Sequence, residues 1–423
     1  MTGRPNILWF CADAQRWDTI AALGNPHIRT PSLDRLVAGG TAFARAYAQN
    51  PICTPSRASF LTGRYPASHH VYRNGNAGFP AGERLVTRIL ADAGYDCGLV
   101  GRLHLSTAKR GEARPDDGYR VFRWSNLPLP DACDAQNQYF TWLRVEKGVD
   151  PAELYADHPG FCGAGVPAAL HHTTWCAEMA LRFIDEPRDR PWLLSVNTFD
   201  PHPPFDPPAE YLAGYDPAAL PPPLFRESDI ARQPMFANIR QQAMRAVDPA
   251  GPMPAARAAH DQAARTYKPP DTFNGRTIKA AYYAMISLVD AQFGRILDHL
   301  QAQGVLENTL VVYHADHGEL LGDHGLVFKG CRFFEGAVHV PLILHWPGRV
   351  RAGLVAPALV ELVDIAPTLL EAAGLAPPEA MQGRSLLPIL EGRADPARHK
   401  ARVVADFNDS LGYSRSRPTP RRP

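Results

Sequence analysis

Cys53-Thr-Pro-Ser-Arg57 runs on into Ala58-Ser-Phe-Leu-Thr-Gly63-Arg64. Pro55 suits the first turn of a helix, where its missing N–H costs nothing. Ser56 to Leu61 can continue that helix, which puts Cys53 just before the N-terminus. Unpaired N–H groups there favour an anion. Arg57 follows about one turn on, with its guanidinium near the same place. An average cysteine is buried packing. A cysteine between a helix N-terminus and an arginine instead suits a negatively charged nucleophile and an oxyanion-bearing substrate.

Two distant segments offer matching chemistry. Ile7-Leu-Trp-Phe-Cys-Ala12 is an apolar run that ends at Asp13. Thr309-Leu-Val-Val-Tyr-His-Ala315 ends at Asp316-His317, and Gly318 lets the chain turn. Open parallel sheets bind ligands beyond the carboxyl ends of their strands. Carboxylates and an imidazole converging there can hold a divalent cation. Taken singly, each is more often a solvated loop residue.

Apolar runs alternate with helical periodicity along most of the chain. Strands are expected over 7–12, 97–101, 192–198, 309–315 and 340–345, and helices over 31–38, 83–93, 173–186, 277–303 and 365–373. In the helix at 277–303, Ile278, Tyr282, Met285, Val289, Phe293, Ile296 and Leu300 form one buried stripe, and Gly304 sits where a C-terminal cap belongs. Such alternation predicts an α/β fold with a mostly parallel sheet and helices on both faces. Residues 203–275, rich in Pro and Ala, read as a surface excursion, a length that is usually functional or mobile.

A net charge of +1 gives no bias toward nucleic acid or membrane. The apolar run at 7–12 is too short to cross a bilayer and has no small-residue cleavage site after it, so no signal peptide is expected. Seven irregularly spaced cysteines fit a reducing compartment and a cytoplasmic location better than a disulfide framework.

These motifs together resemble the formylglycine-dependent sulfatases of the alkaline phosphatase superfamily, from Pro5 to about Phe407. Further matching segments are Gly94-Tyr-Asp-Cys-Gly-Leu-Val-Gly101-Arg-Leu-His104, Phe199-Asp-Pro-His202-Pro-Pro-Phe205 and Gly322-Asp-His-Gly-Leu-Val-Phe-Lys329. Val363-Asp-Ile-Ala-Pro-Thr-Leu-Leu370 and Gln382-Gly-Arg-Ser-Leu-Leu-Pro388 match as well. The resemblance implies a three-layer sandwich like that of alkaline phosphatase. It implies that a formylglycine-generating enzyme oxidises Cys53 to an aldehyde, whose hydrate attacks a sulfate ester. It also implies that Asp13, Asp316, His317 and the modified Cys53 bind one divalent cation. Arg57 would hold the aldehyde and His104 would hydrogen-bond its hydrate. His202 and Lys329 would grip the sulfate, with His202 protonating the leaving alcohol. Asn74 matches a residue that contacts the sulfuryl group. Carboxylate donors plus His317 favour Ca²⁺ or Mn²⁺.

Two positions depart from the common pattern. Ala14 stands where many sulfatases carry a second aspartate, which the branch resembling choline sulfatases and phosphonate monoester hydrolases often lacks too. Arg102 replaces a usual lysine; it keeps the charge without the compact ammonium and would help neutralise the transferring group. The expected reaction is hydrolysis of a small sulfate ester. The alternatives are phosphonate monoester or phosphodiester hydrolysis on the same scaffold, and a truncated inactive homologue. Arg102 with His104 favours sulfate, because phosphonate hydrolases of this type lack that basic/His pair. After a segment resembling the start of a C-terminal subdomain, Arg402 to Asp409, the sequence turns Arg- and Pro-rich. A catalytic domain is therefore expected over 1–400, a truncated subdomain over 401–413 and a disordered basic tail over 414–423. Oligomeric state and the natural alcohol stay open.

Overall fold

The computed structural model describes residues 3–74, 78–106, 111–129, 136–232, 245–254, 260–261, 266–267 and 270–408. The basic tail over 414–423 and parts of the 203–275 excursion lie outside these residues.

Nine strands form the main sheet: β1 (Asn6–Ala12), β2 (Thr41–Tyr47), β3 (Asp96–Gly101), β4 (Val121–Trp124), β5 (Trp192–Thr198), β6 (Thr309–Ala315), β7 (His339–Val340), β8 (Leu342–His345) and β9 (Leu354–Glu361). Their order is β9-β2-β8-β6-β1-β5-β3-β4, with β7 also paired to β2. The β1 pairings to β5 and β6 are parallel, as are β3 with β4 and β5, and β9 with β2. Strands β7 and β8 run antiparallel to their neighbours.

Central β1 explains the layering. Ile7, Trp9 and Cys11 enter one hydrophobic core, while Leu8, Phe10 and Ala12 enter another on the opposite face. A strand buried on both faces reads as a continuous apolar run, because helices cover each side. Helices α2 (Cys53–Thr62), α3 (Val86–Asp92) and α6 (Ile365–Ala372) contribute to the first core. Helices α1 (Pro31–Gly39), α4 (His172–Asp185) and α5 (Gly275–Ala302) contribute to the second. The expected three-layer α/β sandwich is what forms.

Every member of the α5 stripe from Ile278 to Leu300 is fully buried, and Gly304 adopts a left-handed φ of 67° just past the helix end. Three strands of the main sheet escaped the sequence reading. β2 is alanine-rich, which weakens its strand signal. β4 is four residues long and only partly buried. β9 contains Pro357, tolerated because β9 is an edge strand and its register slips between Ala356 and Leu359. The run expected over 340–345 is split at Pro341 into β7 and β8.

Residues 207–232 carry short helices with mostly exposed side chains. They meet the 322–325 loop, where Leu224 N–H donates to Asp323 and His324 N–H donates to the Leu224 carbonyl. No helix among the described residues is long and apolar enough to cross a membrane.

Candidate active site

The neighbouring parallel strands β1 and β6 end side by side, with Ala12 opposite Ala315. Their next residues, Asp13, Asp316 and His317, therefore emerge at one sheet edge. Helix α2 enters from the side. Cys53 is its first residue rather than the one before it: Ile52 takes the cap position, and Ser56 N–H already bonds the Ile52 carbonyl. One potential ligand atom from each of Asp13, Cys53, Asp316 and His317 lies within 4.8 Å of all the others, and all four residues are buried.

Hydrogen bonds fix each donor. His317 Nδ1–H donates to its neighbour's carbonyl, Gly318 O, at 2.8 Å, which turns Nε2 toward the cluster. That Nε2 lies 3.1 Å from Cys53 Sγ and 3.8 Å from Asp13 Oδ1. Asp316 Oδ1 accepts the N–H groups of Ala14 and His317, both at 3.0 Å. Ala14 thus serves the site through its backbone, in a left-handed turn with φ 65°. The Tyr282 hydroxyl on α5 pins that turn, donating to Ala14 O at 2.6 Å and accepting from Arg16 N at 2.9 Å. The donor chemistry fits a divalent cation: two carboxylates and an oriented imidazole converge with residue 53, and Asp13 Oδ1 is turned away from the arginines.

Two arginines balance the carboxylates. Arg57, 1% exposed, donates Nε to Asp316 Oδ2 at 2.9 Å and Nη2 to Asp13 Oδ2 at 3.0 Å. Arg102 Nη1 also bonds Asp13 Oδ2, while its Nε donates to Asn126 Oδ1 at 3.0 Å. Burial pushes the Asp13 carboxyl up, but Arg102 and Arg57 more than offset this and hold it well below the usual range. Burial and Asp13 likewise push the Cys53 thiol up, yet Lys329, His317 and Arg102 together keep it below its ordinary value.

The remaining expected residues surround this centre. Lys329 is buried, with no hydrogen-bond partner for Nζ. His202 Nδ1–H donates to Pro203 O at 2.7 Å, and burial followed by the Lys329 charge depresses its pKa well below normal. His104 Nε2 lies 3.5 Å from Arg102 Nη2, and its buried Nδ1 has no partner. Burial, then Arg102 and Arg57, hold its imidazole well below the usual value. Asn74 stands one step back: its Oδ1 accepts Thr54 N–H at 2.9 Å in the first turn of α2. Arg102 points at Asp13, so its charge is used to hold that carboxylate. Sequence reasoning missed Tyr282 and Asn126, whose partners are brought close only by folding, and Glu112, whose backbone partners sit nearby in an irregular loop. Tyr282 carried a signal for core packing alone.

A sulfatase family model matches residues 5–375. The chain is 30% identical to an arylsulfatase of Clostridium perfringens over 92% of its own length and 79% of that protein. It is 27% identical to a choline-sulfatase of Rhizobium meliloti, covering 96% and 76% of the two chains. The solved phosphonate monoester hydrolase of Agrobacterium radiobacter aligns with a TM-score of 0.77 and 29% identity, over 94% of this chain and 78% of that one. With the family model spanning most of the chain and the sheet edge built as described, this protein belongs to the sulfatase family of sulfuric ester hydrolases.

Proposed function

We propose that the protein hydrolyses a small sulfate ester to an alcohol and inorganic sulfate, with formylglycine made from Cys53 by a formylglycine-generating enzyme. The observation that carries this reading is the buried convergence of Cys53, Asp13, Asp316 and His317 at the N-terminus of α2. In this structure the Cys53 thiol stands where the aldehyde hydrate would stand. Asp13, Asp316, His317 and residue 53 would hold one divalent cation, with Ca²⁺ and Mn²⁺ best matched to the donors. Bound there, the cation supplies Lewis acidity and charge neutralisation.

The chain's own groups do the rest. Arg57 keeps both carboxylates aimed, so the site needs no reorganisation when substrate arrives. Lys329 offers an unspent ammonium to the sulfuryl oxygens. The Nδ1–H bond of His202 leaves Nε2 as the position that exchanges a proton. Burial, then the Lys329 field, keeps His202 neutral; an arriving anion offsets the Lys329 part and favours a proton on Nε2 for delivery to the leaving alcohol. His104 would take up the proton released as sulfate departs.

A second reading, phosphonate monoester hydrolysis, is favoured by the commitment of Arg102 to Asp13. The likeness to a solved phosphonate monoester hydrolase supports it too. Turnover of an aryl sulfate against an aryl phosphonate monoester distinguishes them, in protein co-produced with a formylglycine-generating enzyme and supplied with metal. Cys53-dependent preference for sulfate is the expected result. Preference for the phosphonate would overturn it in favour of the second reading.

A further inference from the structure

The loop that follows β3 carries Arg102 and His104. It leaves the strand through Gly101, at φ 93°, where an added Cβ would sit 1.9 Å from the Asn197 carbonyl oxygen. His104 then takes a left-handed φ of 55°, a conformation unfavourable for a residue with a side chain. Something must hold it there.

Glu112 does so. Its buried side chain, 8% exposed, receives three successive backbone N–H groups. His104 N donates to Oε2 at 2.8 Å, Ser106 N donates to Oε1 at 3.1 Å, and Leu105 N also donates to Oε1. A fourth donor, Trp124 Nε1, reaches Oε2 at 2.9 Å. Trp124 ends β4, directly opposite Gly101 in the parallel ladder. Successive N–H groups curled around one anion make a nest. Here the anion is internal, and it ties the loop to the end of the sheet. Both carboxylate edges are in use, so no neutral side chain of this shape can replace it.

We propose that Glu112 is the positioning residue of His104: by anchoring the nest to Trp124 it fixes the turn that presents the imidazole beside Arg102. This rests on the reading that His104 takes part in turnover. Glu112→Gln is the direct test, because the amide NH₂ must face donors on one edge or the other. Aryl sulfate turnover would be measured for Glu112→Gln, His104→Ala and the double variant, all carrying the aldehyde. Glu112→Gln is expected to lower kcat about 10- to 100-fold with KM changed by less than about threefold. In the His104→Ala background the same substitution is expected to cost less than about threefold more, since its effect passes through a group already removed. A Glu112→Gln variant with wild-type kcat, or a loss fully additive with His104→Ala, overturns the positioning role alone. Wild-type turnover by His104→Ala overturns the underlying reading as well. Should Glu112→Gln not fold, Trp124→Phe tests the same anchor: it removes one donor and keeps the ring. It is expected to lower kcat at constant KM, and an unchanged kcat overturns the proposal.

Discussion

His317 Nε2 stands 3.1 Å from Cys53 Sγ, across 264 residues of chain. The contact exists because β6 ends beside β1 while α2 begins over the same sheet edge. It links the proposed nucleophile position to the imidazole of the metal cluster. Replacing His317 with Ala should lower both bound metal and kcat, the latter by at least about 100-fold. Metal analysis beside steady-state kinetics checks this. Full metal occupancy with unchanged kcat would remove His317 from the site.

Arg57 spans both carboxylates through two different nitrogens, bonding Asp316 and Asp13 at 2.9 and 3.0 Å. Lysine cannot reproduce that geometry. Asp13 keeps Arg102, so Arg57→Lys should cost chiefly the Asp316 pairing and destabilise the fold by about 3–5 kcal/mol. Denaturant unfolding measures the loss, and a change below about 1 kcal/mol would contradict it.

Lys329 sets function against stability. Its Nζ is buried without a hydrogen-bond partner. Lys329→Met should leave the melting temperature equal or higher, because a desolvated charge is removed. The same variant should lose at least about 100-fold in kcat/KM. A clear drop in melting temperature would show that the ammonium is structural.

His69 supplies a pH signature. It braces α2 through Ser59 Oγ at 3.0 Å, and Val71 N–H occupies its Nδ1 at 3.1 Å. Burial, then the Arg64 charge, lowers its pKa to about 3. A histidine with a depressed folded value contributes stability that is complete above about pH 6.5 and declines as pH falls toward 3. The loss between pH 6.5 and 5 should be about 2 kcal/mol. His69→Gln should flatten this acid limb in unfolding curves taken across that range. An identical pH dependence in the variant would assign the limb to other groups.

Tyr282→Phe removes one hydroxyl that both donates to Ala14 O and accepts from Arg16 N. Those buried backbone groups then lack partners, at about 1–3 kcal/mol. Unfolding free energies against wild type give the answer, and an unchanged value would mean that the turn after β1 holds itself.

Much of the architecture was legible in particular residues. Ile7 to Ala12 and Thr309 to Ala315 announce buried parallel strands because both their faces must be apolar. Ile278 to Leu300 announce a helix because their spacing follows its period. Pro357 hid β9, since only the edge position of that strand makes a proline tolerable there. Within the site, Asp13, Cys53, Asp316 and His317 were readable as residue types placed at element ends.

What the sequence determined by itself is local: periodicity, caps and the placement of reactive groups at strand and helix termini. Those features depend on neighbours a few residues away. The tertiary structure decided how charges are spent. Arg102 turned out to bond Asp13, Asn74 to cap Thr54, and Glu112 to gather the N–H groups of the His104 loop. The Arg102 and Asn74 pairings depend on distance and desolvation between segments that packing brings together, and the Glu112 nest on the path of an irregular loop; none of these is written in residue order.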